Sequence, residues 1–357
     1  VPVLNVFFAD AGGRIAWTIL GRVPRRVGFD GVVAGSWADG SRRWDGLLPP
    51  EEMPQIVDPG SGRLWNGNNR SASPEMMEKI GGRIHIHGAR ARQIRDGLFA
   101  VEKATVEDMR RIQLDDRALF LQRWRDQLLG VLTPEAVAAD PRRGEMREAV
   151  ENWGGRAAAE SAGYRMVRGY RMYLSQSVFQ PLLTRCGGLP EDFPYLFAFH
   201  AAEEPLWAVV TQQPAHLLNP EYKSWQEQFL AAVDTMLAQL PPGPVQERTW
   251  GEFNTVRIQH PVSQAVPFLG RWLDMPRRPM SGDAEMPRVM TVRFGPTLRM
   301  VVSPGREQEG YFHMPGGQSG HPLSEHYADG FDAWAEGKPT PFLPGPAVKT
   351  LRLVPGT

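Results

Sequence analysis

Glycine and proline, 37 and 32 of the 357 residues, limit what this chain can fold into through where they fall. They crowd into the first and last parts of the sequence, so both ends read as short strands joined by turns. Val3 to Trp17 is expected to form a β-hairpin, because two apolar runs flank the turn Asp10-Ala-Gly-Gly13. Residues 20 to 60 read as one long loop holding Trp37 and Trp44, with a bend at Gly46-Leu-Leu-Pro-Pro50. A loop of that length is unusual unless it packs down or serves function.

The middle of the chain changes to a helical pattern. Thr105-Val-Glu-Asp108 is a capping box, in which the threonine oxygen takes a backbone N–H and the acid three places on caps in return. Thr133-Pro-Glu135 repeats the start signal with proline at the first helical position. Between them Met109, Ile112, Leu119, Leu121, Trp124, Leu128 and Leu129 recur at helical spacing. After Arg248 strand signals return, and the runs from Arg288 and from Leu298 bracket Gly295-Pro-Thr297 as a second hairpin. One late helix is expected between Tyr327 and Glu336. The predicted organisation is α+β: strands and loops over 1–70, a mainly helical region over 71–245, and C-terminal strands over 246–357.

Forty Lys+Arg balance forty Asp+Glu, which argues against nucleic acid or an anionic membrane as the dominant partner. No apolar run of about 18 residues is present and no charged-then-apolar leader opens the sequence, so no membrane partner is expected. The 42% hydrophobic content is ample for a sizeable core. Cys186 is the single cysteine, so neither an intrachain disulfide framework nor a Cys-rich zinc site is available. Small molecules or protein are the expected partners.

Several polar groups stand out as candidates. Asn66, Asn68 and Asn69 crowd a Gly-containing turn, where asparagine commonly fills positions that tolerate positive φ. His85 and His87 alternate, and on a strand they would share a face; two histidines without a third ligand are a weak zinc signal, and no metal site is assigned. His200 with Glu203 and Glu204 has the makings of an acid/base group, although a helix end beside Pro205 explains them equally. Gly317-Gln-Ser-Gly320 invites comparison with a hydrolase elbow, but Gly-x-Ser-x-Gly requires glycine where His321 stands. Ser319 is therefore given no nucleophilic role. His321, His326 and Asp329 form a looser set, read as structural hydrogen bonding.

Taken together, two segments resemble the β subunit of the penicillin acylase family of N-terminal-nucleophile hydrolases. They are Asp58-Pro-Gly-Ser-Gly-Arg-Leu-Trp-Asn-Gly-Asn-Asn-Arg70 and the run from Tyr311 through Met314-Pro-Gly-Gly-Gln-Ser-Gly-His-Pro-Leu-Ser324 to Asp329. The resemblance extends from Asn5 to about Trp334 and includes Phe8 to Trp17, Gly21 to Arg25, Trp250-Gly251, His260-Pro261, Gly282-Asp283 and Gly295 to Arg299. It implies a partial four-layer αββα Ntn sandwich with a helical insertion. It also implies hydrolysis of an acyl amide: a β-lactam side chain, an N-acyl-homoserine lactone or an acyl peptide.

By the same resemblance, Asn68 donates an oxyanion-hole N–H and Arg90 orients the centre, with Arg92 the alternative within a register error. The glycine-rich C-terminal block is structural, its small residues permitting close backbone approach. The family's nucleophile is a chain-terminal Ser, whereas Val1 has neither hydroxyl nor thiol. A companion α chain and an N-terminal β segment of the same autoproteolysed precursor are thus the expected partners. No cofactor is needed for the chemistry. Structural Ca²⁺ in the family is bound mostly outside the region this chain resembles, and Lys79 stands where one carboxylate ligand is expected, so either Glu75 or Glu78 substitutes through a local shift or the site is altered or lost. Family members are usually exported, which suggests periplasm or secretion. The alternative reading, prompted by Val1, is a non-catalytic structural or binding module on the same scaffold; a third, a metal hydrolase, would use His85 and His87.

Overall fold

The computed structural model describes residues 4–31, 34–81, 85–185, 187 and 202–355. Val1, Cys186 and His200 lie outside the described residues. Two compact units divide the chain: the larger comprises 1–102, 112–257 and 277–295, the smaller 103–111, 258–276 and 296–357.

In the larger unit, β1 (Leu4–Ala9) and β2 (Ile15–Leu20) form the expected antiparallel hairpin, and β5 (Gln55–Val57) adds to the other side of β2. Register places Phe7, Trp17 and Ile56 on one face, and Phe8, Ala16 and Val57 on the other. Strands of this composition are apolar on both faces. Only Trp17 is buried; Leu4, Phe7, Phe8, Leu20, Ile56 and Val57 are exposed.

The stretch expected as a loop departs from that reading. Within it β3 (Pro24–Val27) pairs antiparallel with β4 (Arg43–Leu47). Val23 and Leu48, joined by a 2.8 Å backbone hydrogen bond, are buried at the foot of the ladder and pin it. Two buried anchors organise what polar and glycine-rich residues conceal.

Helices follow: α1 (Pro74–Ile80), α2 (Ala89–Phe99), α3 (Val106–Gln113), α4 (Gln122–Val131), α5 (Pro134–Ala139), α6 (Pro141–Glu151), α7 (Ala162–Arg185), α8 (Glu203–Gln212) and α9 (Trp225–Ala238). Both predicted caps form. Thr105 Oγ1 accepts from the Asp108 N–H at 3.1 Å while the Thr105 N–H donates to that aspartate, and Thr133 accepts from the Ala136 N–H at 3.2 Å. At the centre lies α7, which packs against α4, α6 and α9 and buries Tyr164, Met166, Val167, Tyr170 and Leu174. Trp124, Leu128, Met146, Val150, Phe229 and Val233 close around it. Each fully buried Leu, Met or Val side chain is worth about 1.5–3 kcal/mol, so this cluster is the main core. Short strands β6 (Thr255–Val256) and β7 (Arg278–Pro279) pair beside it.

The second expected hairpin does not form. Residues from Arg288 are taken up inside the larger unit, where the Arg288 N–H donates to Asp115 O and the Met290 carbonyl accepts from Asn254 Nδ2. In the smaller unit β8 (Arg299–Val301) instead pairs with β9 (Tyr311–His313). The late helix spans Phe331–Glu336, shorter than expected, and buries Phe331 and Trp334. Among the described residues no helix is long and apolar enough to cross a membrane.

Candidate active site

The Asn-rich turn and the start of α2 meet in the larger unit. Asn66 Oδ1 accepts from the Asn68 N–H at 2.8 Å and Asn69 Oδ1 from the Gly67 N–H at 3.1 Å, so the turn is bound together by its own side chains. Asn68 alone of the three adopts positive φ, 61°. Gly67 has to be small: a Cβ there would lie 2.8 Å from the Ala91 nitrogen, and its absence lets the turn rest on α2.

Arg90, 7% exposed, closes the contact from the helix. Its Nη2 donates to Gly67 O at 2.7 Å and to Asn68 Oδ1, and its Nη1 donates to Ala284 O at 3.5 Å. Burial lowers its pKa and the charge of Glu285 opposes that effect; arginine nonetheless stays a cation. Arginine only donates, so the Asn68 atom facing it has to be the oxygen. Nδ2 therefore points elsewhere, and among the described residues it makes no hydrogen bond. Arg92 is on the outside of α2, its side chain 77% exposed and 3.9 Å from Asp96.

Three consecutive residues back this arrangement, of which the sequence marked only Asp283, as part of the resemblance and with no role. Asp283 accepts from Tyr164 Oη at 2.8 Å and pairs with Arg168; the Ala284 carbonyl meets Arg90; Glu285 lies 2.5 Å from His87 Nε2. A cavity of about 140 Å³ opens beside them, lined in part by His87, Arg168, Arg171, Glu203, Asp283 and Glu285. Their signal in sequence is faint, since a polar contact across more than a hundred residues leaves no periodicity.

Other candidates are committed elsewhere. Glu203 accepts from Arg123, Trp124 Nε1 at 2.8 Å and both arms of Arg171, which makes it a structural clasp between α4, α7 and α8. His85 to His87 run outside any strand, so the shared face expected of the two histidines does not arise. In the smaller unit Ser319 Oγ accepts from the His321 N–H at 3.1 Å, and a Cβ on Gly317 would lie 1.9 Å from His326 O. His326 Nδ1 meets Asp329 at 2.9 Å. Trp37 sits edge-on to Phe29 and Trp44, and Trp65 to Phe99, all five rings at least partly exposed.

Calcium does not fit the residues around Lys79. Its Nζ is 2.7 Å from Glu52, which also holds Arg25 at 2.7 Å; the cation there is an ammonium, not an ion needing six to eight oxygens. Glu75 caps its own helix beside Ser73. Among the described residues no group of three or more His, Cys, Asp or Glu is arranged to hold a metal ion.

A family model described as penicillin amidase matches residues 1–347. The acyl-homoserine lactone acylase QuiP of Pseudomonas aeruginosa is 28% identical over an alignment covering 95% of this chain and 44% of that protein. Penicillin acylase 2 proenzyme of a Pseudomonas species is 26% identical, with the same two coverages. The chain thus spans less than half the length of these relatives. Among solved structures, the thermostable penicillin G acylase from Alcaligenes faecalis matches with a TM-score of 0.60 at 17% identity, covering 100% of this chain and 69% of that one. The likeness shows the fold, a mixed α/β one of the Ntn-hydrolase type.

Proposed function

Because the chain belongs to the penicillin amidase family, we propose that it is the part of an acyl-amide hydrolase that stabilises the oxyanion. In this reading a hydroxyl from an N-terminal Ser outside the 357 residues attacks the amide carbon. Negative charge then develops on the carbonyl oxygen, and Asn68 Nδ2 donates to it. Arg90 acts one step back. By occupying Oδ1 it fixes which end of the amide faces outward, so the donor is aligned before the reaction begins.

The observation that carries the reading is the Arg90 contact to Asn68 Oδ1 together with Gly67 O. The substrate is an acyl amide, whether a β-lactam side chain, an N-acyl-homoserine lactone or an acyl peptide. Relatives bearing penicillin acylase and acyl-homoserine lactone acylase names support that class. A companion α chain and an N-terminal β segment of one precursor cover the sheet of β1, β2 and β5, whose two faces carry exposed Phe8, Leu20 and Val57 and exposed Phe7 and Ile56. The assembly works in the periplasm or after secretion, and any structural Ca²⁺ is held by other segments.

Asn68→Ala in the assembled enzyme tests this. Removing one oxyanion donor is expected to lower kcat about 10²–10³-fold with KM little moved, while alanine at the positive φ of residue 68 costs about 1–2 kcal/mol of stability. An unchanged kcat on a panel of chromogenic acyl amides refutes the assignment.

A further inference from the structure

We propose that His87 and Glu285 are positioning residues for the same reaction, holding Arg90 in line with Asn68; the inference rests on the reading above. Helix α2 begins without a side-chain cap from Gly88, its N-cap residue. His87 supplies what the glycine lacks: Nδ1 accepts from the Ala89 N–H at 3.4 Å. With Nδ1 accepting, Nε2 carries the proton and faces the Glu285 carboxylate 2.5 Å away, a close polar contact rather than an aligned hydrogen bond. Both side chains are largely buried, 16% and 22% exposed.

The imidazole is held on its face as well. Phe120 stacks on it at 4.4 Å, and Phe120 in turn lies under the guanidinium of Arg171 at 5.0 Å. Burial pushes the Glu285 carboxyl up, but His87, Arg171 and Arg168 outweigh it and hold its pKa below the usual carboxylate range. The resulting anion is the one whose charge opposes the desolvation of Arg90. One residue earlier, Ala284 O accepts from Arg90 itself. His87 therefore fixes the backbone from which Arg90 projects, while Glu285 fixes the charge and the backbone that Arg90 faces. Letting either side chain swing free frees the guanidinium to tilt, and the Asn68 amide with it.

A mutant cycle in the assembled enzyme separates positioning from mere packing. His87→Ala and Glu285→Gln are each expected to lower kcat about ten- to a hundredfold with KM within about twofold, as misplacement of a catalytic group does. In an Asn68→Ala background the same changes are expected to leave kcat within about twofold, because the group they align is gone. His87→Gln, which returns an amide N–H toward Glu285, is expected to recover part of the loss. Melting temperature is followed for every variant, and if His87→Ala does not assemble, the isosteric Glu285→Gln carries the cycle alone. Losses that multiply fully in the Asn68→Ala background, or a wild-type kcat in Glu285→Gln, overturn the inference while leaving the oxyanion reading intact. A wild-type kcat in Asn68→Ala overturns both.

Discussion

Arg90 donates to the side-chain oxygen of Asn68 and, through the same nitrogen, to the carbonyl of Gly67 at 2.7 Å. One buried guanidinium thus holds both a side chain and the backbone of the turn that presents it. On the proposed reading, a donor aimed this way costs no reorganisation when charge appears.

Arg90→Lys keeps the charge and discards the planar fork. An ammonium is a compact point charge and does not reproduce the fixed geometry that serves Gly67, Asn68 and Ala284 at once. The expected result in the assembled enzyme is a fall in kcat of up to about a hundredfold with folding retained. Steady-state kinetics alongside circular dichroism checks it.

Gly317→Ala should destabilise the smaller unit, because the new Cβ would stand 1.9 Å from the His326 carbonyl oxygen and backbone has to move. A cost of about 1–3 kcal/mol is expected for such overpacking. Gly320→Ala is the control, since nothing lies within 4 Å of a Cβ there. Urea unfolding of the two variants should separate them clearly; equal midpoints contradict the close approach.

Asp283→Ala leaves the largely buried Arg168 without its carboxylate and Tyr164 Oη without its acceptor. Breaking a buried pair on one side costs about 3–5 kcal/mol. Denaturant midpoints measure this, and a loss well under 1 kcal/mol would be about what an exposed pair gives.

Glu52 is the group to follow with pH. Hydrogen bonds from Arg25 and Lys79 lower its pKa from 4.5 to about 2. A carboxyl depressed in the folded state stabilises that state above its unfolded pKa and loses the contribution as pH falls through its folded pKa. The stability gap between wild type and Glu52→Gln is therefore expected to be constant above about pH 5, to narrow as pH falls toward about 2, and to close below that. Added salt should shrink it, because all three side chains reach solvent. A gap indifferent to pH across this range would show that the ion pairs carry none of it.

What could be read in advance was local. The β1–β2 hairpin and the caps at Thr105 and Thr133 depend on residues within a few positions of one another, and each forms as its sequence indicates. Pairings over distance were less legible. Arg299 to Val301 find Tyr311 to His313 rather than the run after Arg288, because that run is claimed by Asp115 and Asn254. β3 and β4 were hidden by glycines and charges around two buried anchors. At the candidate site Asn68 and Arg90 lie 22 positions apart, and their touching depends on Gly67 admitting α2. Asp283 was marked only as part of the resemblance, and the backing by Asp283, Ala284 and Glu285 was not legible, since nothing in their own neighbourhood announces Tyr164, Arg168 or His87 as partners.

The backbone of Asn68, at φ 61°, is in a corner that aspartate also tolerates. An aspartate would settle there and grip the same guanidinium more firmly, as charge-assisted bonds do. It would also show oxygen where nitrogen now stands. Two proteins differing by that exchange would share a silhouette, yet only one would have a hydrogen to offer.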